Sequence, residues 1–564
     1  YDGVDQNCNG SSDYDADFDG YDATSGGGTD CDDTDAVVNP GVVERCNTSV
    51  DDNCDGDTND NGAYQCDAYA LDADGDGYGD PALGDCFCTL PTGYSDNTDD
   101  CDDADGAVNP SATEVCSDGV DNNCDDSAAG CGVVGLFDLS NADDRLEGVN
   151  NSDELGWAIA AGDVDALPGA DVLVSAILED AGGTQAGAVY LLSGGSTDLA
   201  DPTAAAAKLT GEDTADYAGK AVGLEDFDQD GLSELLVGAP GGGSTGGGVV
   251  YLVSPASASG TVSLGMATAR WDGEASGDEA GAQLGTGDLT GDGQPDLLIG
   301  ARKDSSYASE SGAVYLIGAP LSSGLSTATA KIQGTTIRDY LGTGVTVGDF
   351  NGDGVGDLVV GAPGAGSGGS IWLLEGPLSG TSTVASATAR LNGENSGDSV
   401  GSKLVTGDCD GDGLDDLVVG APGVGSLGAT YLVRGGFSGT SSLSTAFSKW
   451  AGEGPNDASG SAVALGDTNG DGSLDLQMGA VGEDAGGTDA GAVYLVLGPL
   501  SSGTLYMNSS NVDAKIEGDF QSSATGSALS FGDLDADGYE ELLIGAVERN
   551  ALDGALYVLA GGGL

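Results

Sequence analysis

Seven times between Asp163 and Asp533 the chain repeats one short acidic phrase: oxygen-bearing side chains at offsets 0, 2, 4 and 8, usually with glycine after the third. The copies start at Asp163, Asp226, Asp288, Asp349, Asp408, Asp467 and Asp533, with neighbouring starts 59 to 66 residues apart. A period of that length, filled by short apolar runs, restricts residues 133–564 to a repeat architecture in which each unit is one small sheet.

Each unit offers four strand candidates. The first follows a glycine seven residues before the acidic phrase: Gly156, Gly219, Gly281, Gly342, Gly401, Gly460 and Gly526. The second leaves the phrase as an apolar run, as in Leu358-Val359-Val360-Gly361-Ala362-Pro363. The third carries an aromatic residue: Tyr190, Tyr251, Tyr315, Trp372, Tyr431, Tyr494 or Tyr557. The fourth pairs a basic with an apolar residue: Lys208-Leu209, Arg270-Trp271, Lys331-Ile332, Arg390-Leu391, Lys449-Trp450 and Lys515-Ile516. Four strands per unit repeated radially predict an all-β fold, a seven-bladed β-propeller. No fourth strand follows the last phrase, but Arg145-Leu146-Glu147-Gly148 precedes the first. The segment near 144–148 is therefore expected to supply the outer strand of the last blade and close the ring, removing exposed sheet edges. Seven of the fifteen basic residues occupy this one position. Blade-to-blade ion pairing or solvated edges explain that better than a ligand-binding cationic ring.

The phrase itself is a cation-loop signature. Alternate side chains point to one side of a tight turn, glycine permits the positive φ the turn needs, and the ninth position closes the shell. The ligand sets read Asp226, Asp228, Asp230, Glu234; Asp288, Thr290, Asp292, Asp296; Asp349, Asn351, Asp353, Asp357; Asp408, Asp410, Asp412, Asp416; Asp467, Asn469, Asp471, Asp475; and Asp533, Asp535, Asp537, Glu541. All-oxygen ligands on a flexible loop favour calcium over zinc, copper or octahedral magnesium. The first loop, Asp163, Asp165 and Asp171, has Leu167 in place of its third ligand and is expected to bind weakly or not at all.

The stretches Gly348–Pro363 and Gly407–Pro422 read Gly-Asp-x-Asp/Asn-x-Asp-Gly-x-x-Asp-Leu-x-Val-Gly-Ala-Pro with minor departures, and this phrase resembles FG-GAP repeats. The resemblance implies the seven-bladed propeller of integrin α subunits and of many bacterial surface proteins, calcium in the blade hairpins, and adhesion or ligand binding. The Ala-Pro ending is missing at Ala301-Arg302, Ala480-Val481 and Ala546-Val547, no inserted adhesion domain interrupts the blades, and no Arg-Gly-Asp sequence occurs.

Residues 1–132 are different. They hold 34 acidic residues, one basic residue (Arg45) and eleven of the twelve cysteines, with few aliphatic residues for a core. Such a segment needs disulfides and metal to become ordered. Two units align: Asp30-Cys31-Asp32-Asp33, Glu44, Cys46 and Asp52-Asn53-Cys54-Asp55, then Asp100-Cys101-Asp102-Asp103, Glu114, Cys116 and Asn122-Asn123-Cys124-Asp125, shifted by 70 residues. A truncated copy, Asp5-Gln6-Asn7-Cys8-Asn9, opens the chain, and the eight-residue step from Cys46 to Cys54 places a partner of Cys8 just before Tyr1. Loops of the same offsets occur as Asp72, Asp74, Asp76, Asp80; Asp5, Asn7, Asn9, Asp13; and Asp51, Asn53, Asp55, Asn59, with incomplete versions at Asp15, Asp17, Asp19 and at Asp121, Asn123, Asp125. Cysteine inside an oxygen-ligand loop suits a structural disulfide better than a thiolate ligand, with connectivity open. The segment resembles the metal-binding repeats named after the copper-binding protein MopE; copper carries over poorly, because the chain has no histidine.

Composition then bounds function. The net charge of −79 repels nucleic acid and anionic membranes. Absence of histidine removes Ser-His-Asp and Cys-His catalysis and histidine-held metals. Cysteines and calcium-type loops predict an oxidising, extracellular or cell-surface setting. Tyr1 opens inside a repeat, so a processed or trimmed product is expected, its signal peptide lying outside this sequence. The reading is a calcium-binding adhesion or interaction protein, not an enzyme, engaging protein, glycan or its own copies, without membrane insertion. Two alternatives stay open: a subunit of a self-assembling extracellular filament or matrix, and a propeller glycoside hydrolase or lyase, whose paired carboxylates would have to break the repeat symmetry.

Overall fold

The computed structural model describes all residues except 1–11, 13, 47, 59–63, 65, 81–82, 98, 113–123, 125–134, 151, 195–201, 203–204, 323, 509–510, 549–552 and 563–564. The loops at Asp5 and at Asp121-Asn123-Asp125, with Asn59, lie outside the described residues. Two compact units emerge, residues 1–131 and 132–563.

The larger unit is all-β. It contains seven sheets, each built on four antiparallel strands. In the fourth sheet these are Gly344–Gly348, Asp357–Ala362, Ser370–Leu374 and Ala389–Asn392, in sequence order from the inner strand outward. The second strand of every sheet is buried at all six positions, because each of its faces meets a neighbouring sheet. That two-sided burial is why these strands read as continuous apolar runs and not as alternation. Each fully buried Leu, Val or Ile stabilises the fold by about 1.5–3 kcal/mol.

Seven apolar cores separate the seven sheets. An open arc would have one core fewer. The additional core joins the last sheet to the first, packing Leu543, Leu556 and Val558 against Leu155, Val172 and Tyr190. The outer strand there comes from the start of the unit: Asp144–Glu147 pairs with Ala555–Leu559, Arg145 opposite Tyr557. The ring is a closed seven-bladed propeller.

Glycine pairs let neighbouring blades touch through backbone. A side chain on Gly361 would put its Cβ 2.0 Å from the carbonyl oxygen of Gly401 in the next blade. Gly545 meets Gly156 in the same way across the closure, at 2.2 Å.

One feature was not legible in the four-strand repeat. Among the described residues, five of the seven sheets carry a fifth strand, added parallel to the outer edge and donated by chain belonging to a later connection. Gly380–Thr383, for example, pairs with Ala330–Gln333 of the preceding blade. Gly135–Asp138 pairs with Ala514–Glu517 in the same manner, so the N-terminal segment binds both the sixth and the seventh sheets.

Six of the seven repeated basic residues are ion-paired, mostly from blade to blade. Arg270 reaches Glu212 at 2.6 Å, Lys331 reaches Glu274 at 2.8 Å, Lys449 reaches Glu394 at 2.9 Å and Lys515 reaches Glu453 at 2.7 Å. Each acceptor follows the outer strand of the preceding blade. The aromatic opposite each base joins in: Tyr315 donates to Glu274 and Tyr494 to Glu453. The first blade uses Glu179 for Lys208 and the seventh uses Asp519 for Arg145. Arg390 meets no carboxylate among the described residues; it donates to Ser370 Oγ and lies over Trp372.

The smaller unit has one three-stranded antiparallel sheet, Gly84–Phe87, Asp67–Leu71 and Tyr94–Ser95. Its apolar cluster consists of cysteines, Cys46 and Cys88 with Cys66 beside them. Disulfides join Cys31–Cys54, Cys46–Cys88, Cys66–Cys86 and Cys101–Cys124. The eight-residue step from Cys46 to Cys54 is thus not a pairing. Each of the two full copies of the repeat instead closes a 23-residue span.

Candidate metal centres

Every blade places its acidic loop between the first and second strands. In the loop at Asp226 the amides of Asp230 and Gly231 donate to the two oxygens of Asp226 at 3.1 and 2.9 Å. The Asp230 carboxylate in turn accepts from Leu232 N at 3.0 Å. The same contacts recur at Asp288, Asp349, Asp408 and Asp467, with the sixth-position glycine amide donating at 2.7 to 2.9 Å. At Asp533 the matching contact is 3.2 Å. The backbone thus wraps the side chains so that their remaining lone pairs converge: carboxylate oxygens of Asp226, Asp228 and Asp230 lie within 4.8 Å of one another.

The ninth residue has a second task. Asp357 accepts from Phe350 N at 3.1 Å within the loop and from Gly376 N at 3.0 Å in the connection after the third strand. Asp296, Asp416 and Asp475 repeat this bracket. Burial pushes the Asp357, Asp416 and Asp475 carboxyls up to about 6 and Glu541 up to about 7. Glu234 and Asp296 shift upward for the same reason. Charge is costly at this position unless a cation lies near, and each oxygen has a lone pair left to offer one. One oxygen of Asp533 is buried without any partner. The donor set fits a hard divalent cation.

Two loops depart. At the first, Asp163, Asp165 and Asp171 still bring oxygens within 4.8 Å although Leu167 points out, 59% exposed. At the fifth, Arg434 Nε lies 2.8 Å from Asp410 Oδ2, so a side chain already offers that ligand a positive charge.

In the smaller unit the loop at Asp51 has the same wrapping as the blades, with Gly56 N donating to Asp51 Oδ2 at 2.9 Å and Asp55 N to Asn53 Oδ1 at 3.0 Å. Cys54 sits inside it at positive φ and is tied to Cys31. Asp15, Asp17, Asp19 and Asp72, Asp74, Asp76 each form a cluster within 4.8 Å. Sequence reasoning quoted Asp30–Asp33 and Asp100–Asp103 as repeat landmarks but not as neighbours of these clusters, on which Asp33 and Asp103 are docked by Ala16 N and Ala73 N. No local spacing marks them, since they lie beyond the reach of a nine-residue loop.

A cavity of about 200 Å³ is lined by residues from all seven inner strands, and Lys220 and Lys403 are its only charged lining. Lys220 lies 3.5 Å from the centre of the Trp157 ring. Burial, with Arg302 nearby, lowers its ammonium to about 8, and loss of water lowers Lys403 as well. Neither lysine has a carboxylate within ion-pair distance among the described residues. The sequence hint was available: both follow the glycine that opens an inner strand, where the other blades have no base.

Comparison with known proteins agrees with this architecture. The FG-GAP repeat family matches residues 218–253, 280–317, 341–374, 400–433 and 459–496. The MopE-type metal-binding motif matches residues 2–14, 30–60 and 100–129. The chain is 32% identical to integrin alpha-PS2 of Drosophila melanogaster over 229 residues, 37% of this chain and 15% of that protein. It is 32% identical to integrin alpha-IIb of Mus musculus over 225 residues, covering 37% and 20%. It is also 32% identical over 183 residues to phosphatidylinositol-glycan-specific phospholipase D of Rattus norvegicus, covering 30% and 20%. The shared region is thus a fifth or less of each relative. Among the described residues no helix is long and apolar enough to cross a membrane.

Proposed function

From a propeller of FG-GAP repeats joined to MopE-type metal-binding motifs, we propose an extracellular calcium-binding adhesion or interaction protein, with residues 1–132 and 133–564 as its two domains. Calcium ions in the blade hairpins act as structural ions. The six complete blade sets, from Asp226 to Glu541, are the ligands, and the loops at Asp51 and Asp72 serve the smaller domain. The observation that carries this reading is the recurring wrap of backbone amides around each first aspartate, which leaves carboxylate lone pairs convergent and, except where Arg434 meets Asp410, without an ion-paired base. Oxygen-only donors select calcium. The disulfides and the integrin relatives support an extracellular setting.

Binding is preferred to catalysis because the acidic groups follow the repeat. The phospholipase relative shares only 20% of its length, so its named activity is not transferred. The partner is a protein, a glycan or another copy of this chain.

The test is metal content per chain together with thermal melting of the propeller, with and without chelator. We expect several bound calcium ions and a melting temperature that falls on chelation. Calcium at a hundredfold excess over its Kd adds about 2.7 kcal/mol per site. Fewer than about four ions, or a melting temperature indifferent to chelator, overturns the reading.

A further inference from the structure

The acidic loop at Asp15 lacks a fourth oxygen ligand of its own, whereas the loop at Asp72 has Asp80 in its ninth position. In the first, the ninth residue is Ala23, which has no oxygen side chain to offer. The fold brings another carboxylate to each. Asp30 is 1% exposed and Asp100 2% exposed, yet Oδ2 of both has no hydrogen-bond partner. Their other oxygens accept from Asp32 N and Asp102 N, each at 2.9 Å. The loops answer in kind: Oδ2 of Asp17, Asp19 and Asp74 are likewise buried and unpartnered. Among neighbouring charges, Asp19 repels the Asp30 carboxylate most strongly, and Asp76 and Asp74 do the same for Asp100.

The two arrangements are duplicates. Ala16 N donates to Asp33 Oδ1 at 2.9 Å, and Ala73 N donates to Asp103 Oδ1 at 2.7 Å. Each Asp-Cys-Asp-Asp segment is thereby docked on the loop that precedes it. The cysteine after Asp30 and the one after Asp100 are both in disulfides, so no thiolate is available as a ligand. Buried carboxylate oxygens without donors, in a neighbourhood of other carboxylates, are costly unless a cation lies among them.

We propose that these are two composite divalent-cation sites, one formed by Asp15, Asp17, Asp19 and Asp30 and the other by Asp72, Asp74, Asp76 and Asp100. In the first, the Asp-Cys-Asp-Asp segment supplies the ligand that the loop lacks; in the second, it adds a carboxylate from outside the nine-residue loop. The donors are all oxygen, so the ion is calcium. The ion ties two separate stretches of chain, a role a self-contained hairpin loop does not have. This extends the calcium reading above to ligands outside the nine-residue phrase.

The test uses the full chain with Asp30→Asn and Asp100→Asn, which keep the Oδ1 acceptor. Bound calcium is counted by equilibrium dialysis, and hydrogen exchange is followed in peptides spanning residues 14–34 and 70–104. Each substitution should remove one ion, and the pair two. A sign reversal should accompany it: in calcium the variant peptide exchanges faster than the parent, whereas in chelator it exchanges more slowly, because an unpaired charge has gone. An unchanged ion count, or faster exchange in both conditions, overturns the proposal and makes Asp30 and Asp100 simple structural acceptors. Asp349→Asn separates this failure from that of the wider reading. If it still removes an ion, the blade sites stand and only the composite sites fall; if the parent chain binds no calcium, both fall.

Discussion

The propeller and the N-terminal unit use the same acidic loop but depend on it to different degrees. In residues 132–563 the loops decorate a ring that already has seven apolar cores. In residues 1–131 the apolar cluster is a few cysteines, the other buried apolar side chains are the small Ala23, Val38, Ala70 and Val108, and Asp15, Asp30, Asp52 and Asp100 are buried beside them. Asp357, buried at the start of an apolar strand, is at least braced by two backbone amides and by the cores on either side. A carboxylate buried among other carboxylates needs a positive ion. Identical local chemistry is therefore an accessory in one unit and the substitute for a core in the other.

Joint chelation and reduction should separate the units most strongly. Four disulfides closing spans of 20 to 42 residues each contribute about 3 kcal/mol. Their loss together with the ions should unfold residues 1–131, seen as full hydrogen exchange there, while the buried second strands of the blades stay protected. Equal loss of protection in both units would erase the contrast.

Breaking the propeller requires attacking its packing. Gly361→Val forces a side chain into the backbone of Gly401. It should cost about 3 kcal/mol or more and lower the melting temperature whether or not calcium is present. A calcium-dependent effect would mean that the blade contacts are weaker than the ring of cores implies.

The smallest effect concerns the unpaired charge that the propeller does bury. Lys220, faced by Arg302, Lys403, Glu154 and Glu279, titrates near 8 in the fold against 10.5 in the open chain. Between those values the unfolded chain binds the extra proton, so this group's contribution to stability rises with pH. Below about 8 its penalty is fully present. Nuclear magnetic resonance of reductively methylated protein should show one lysine titrating near 8, absent in Lys220→Met; a midpoint near 10.5 would mean that water fills the axial cavity freely.

Much of this was legible because it is local. The offsets within each nine-residue loop, the glycine that opens each inner strand and the apolar run of each second strand are set by turn geometry and burial within one unit. Seven phrases and a displaced Arg145-Leu146 even implied closure, since strand counting is a property of the whole chain. The parallel fifth strands escaped, because polar segments such as Gly380–Thr383 have no apolar pattern to announce them.

The sequence by itself determined the loop chemistry, the blade period and the contrast between an aliphatic ring and an acidic, cysteine-rich unit. Only the tertiary structure decided which carboxylates meet. Asp30 follows Asp19 by eleven residues and Asp100 follows Asp76 by twenty-four, yet both come to the same place against their loops. Spacing along a chain fixes geometry only within a turn or a strand pair; beyond that, burial and chain crossing choose the neighbours.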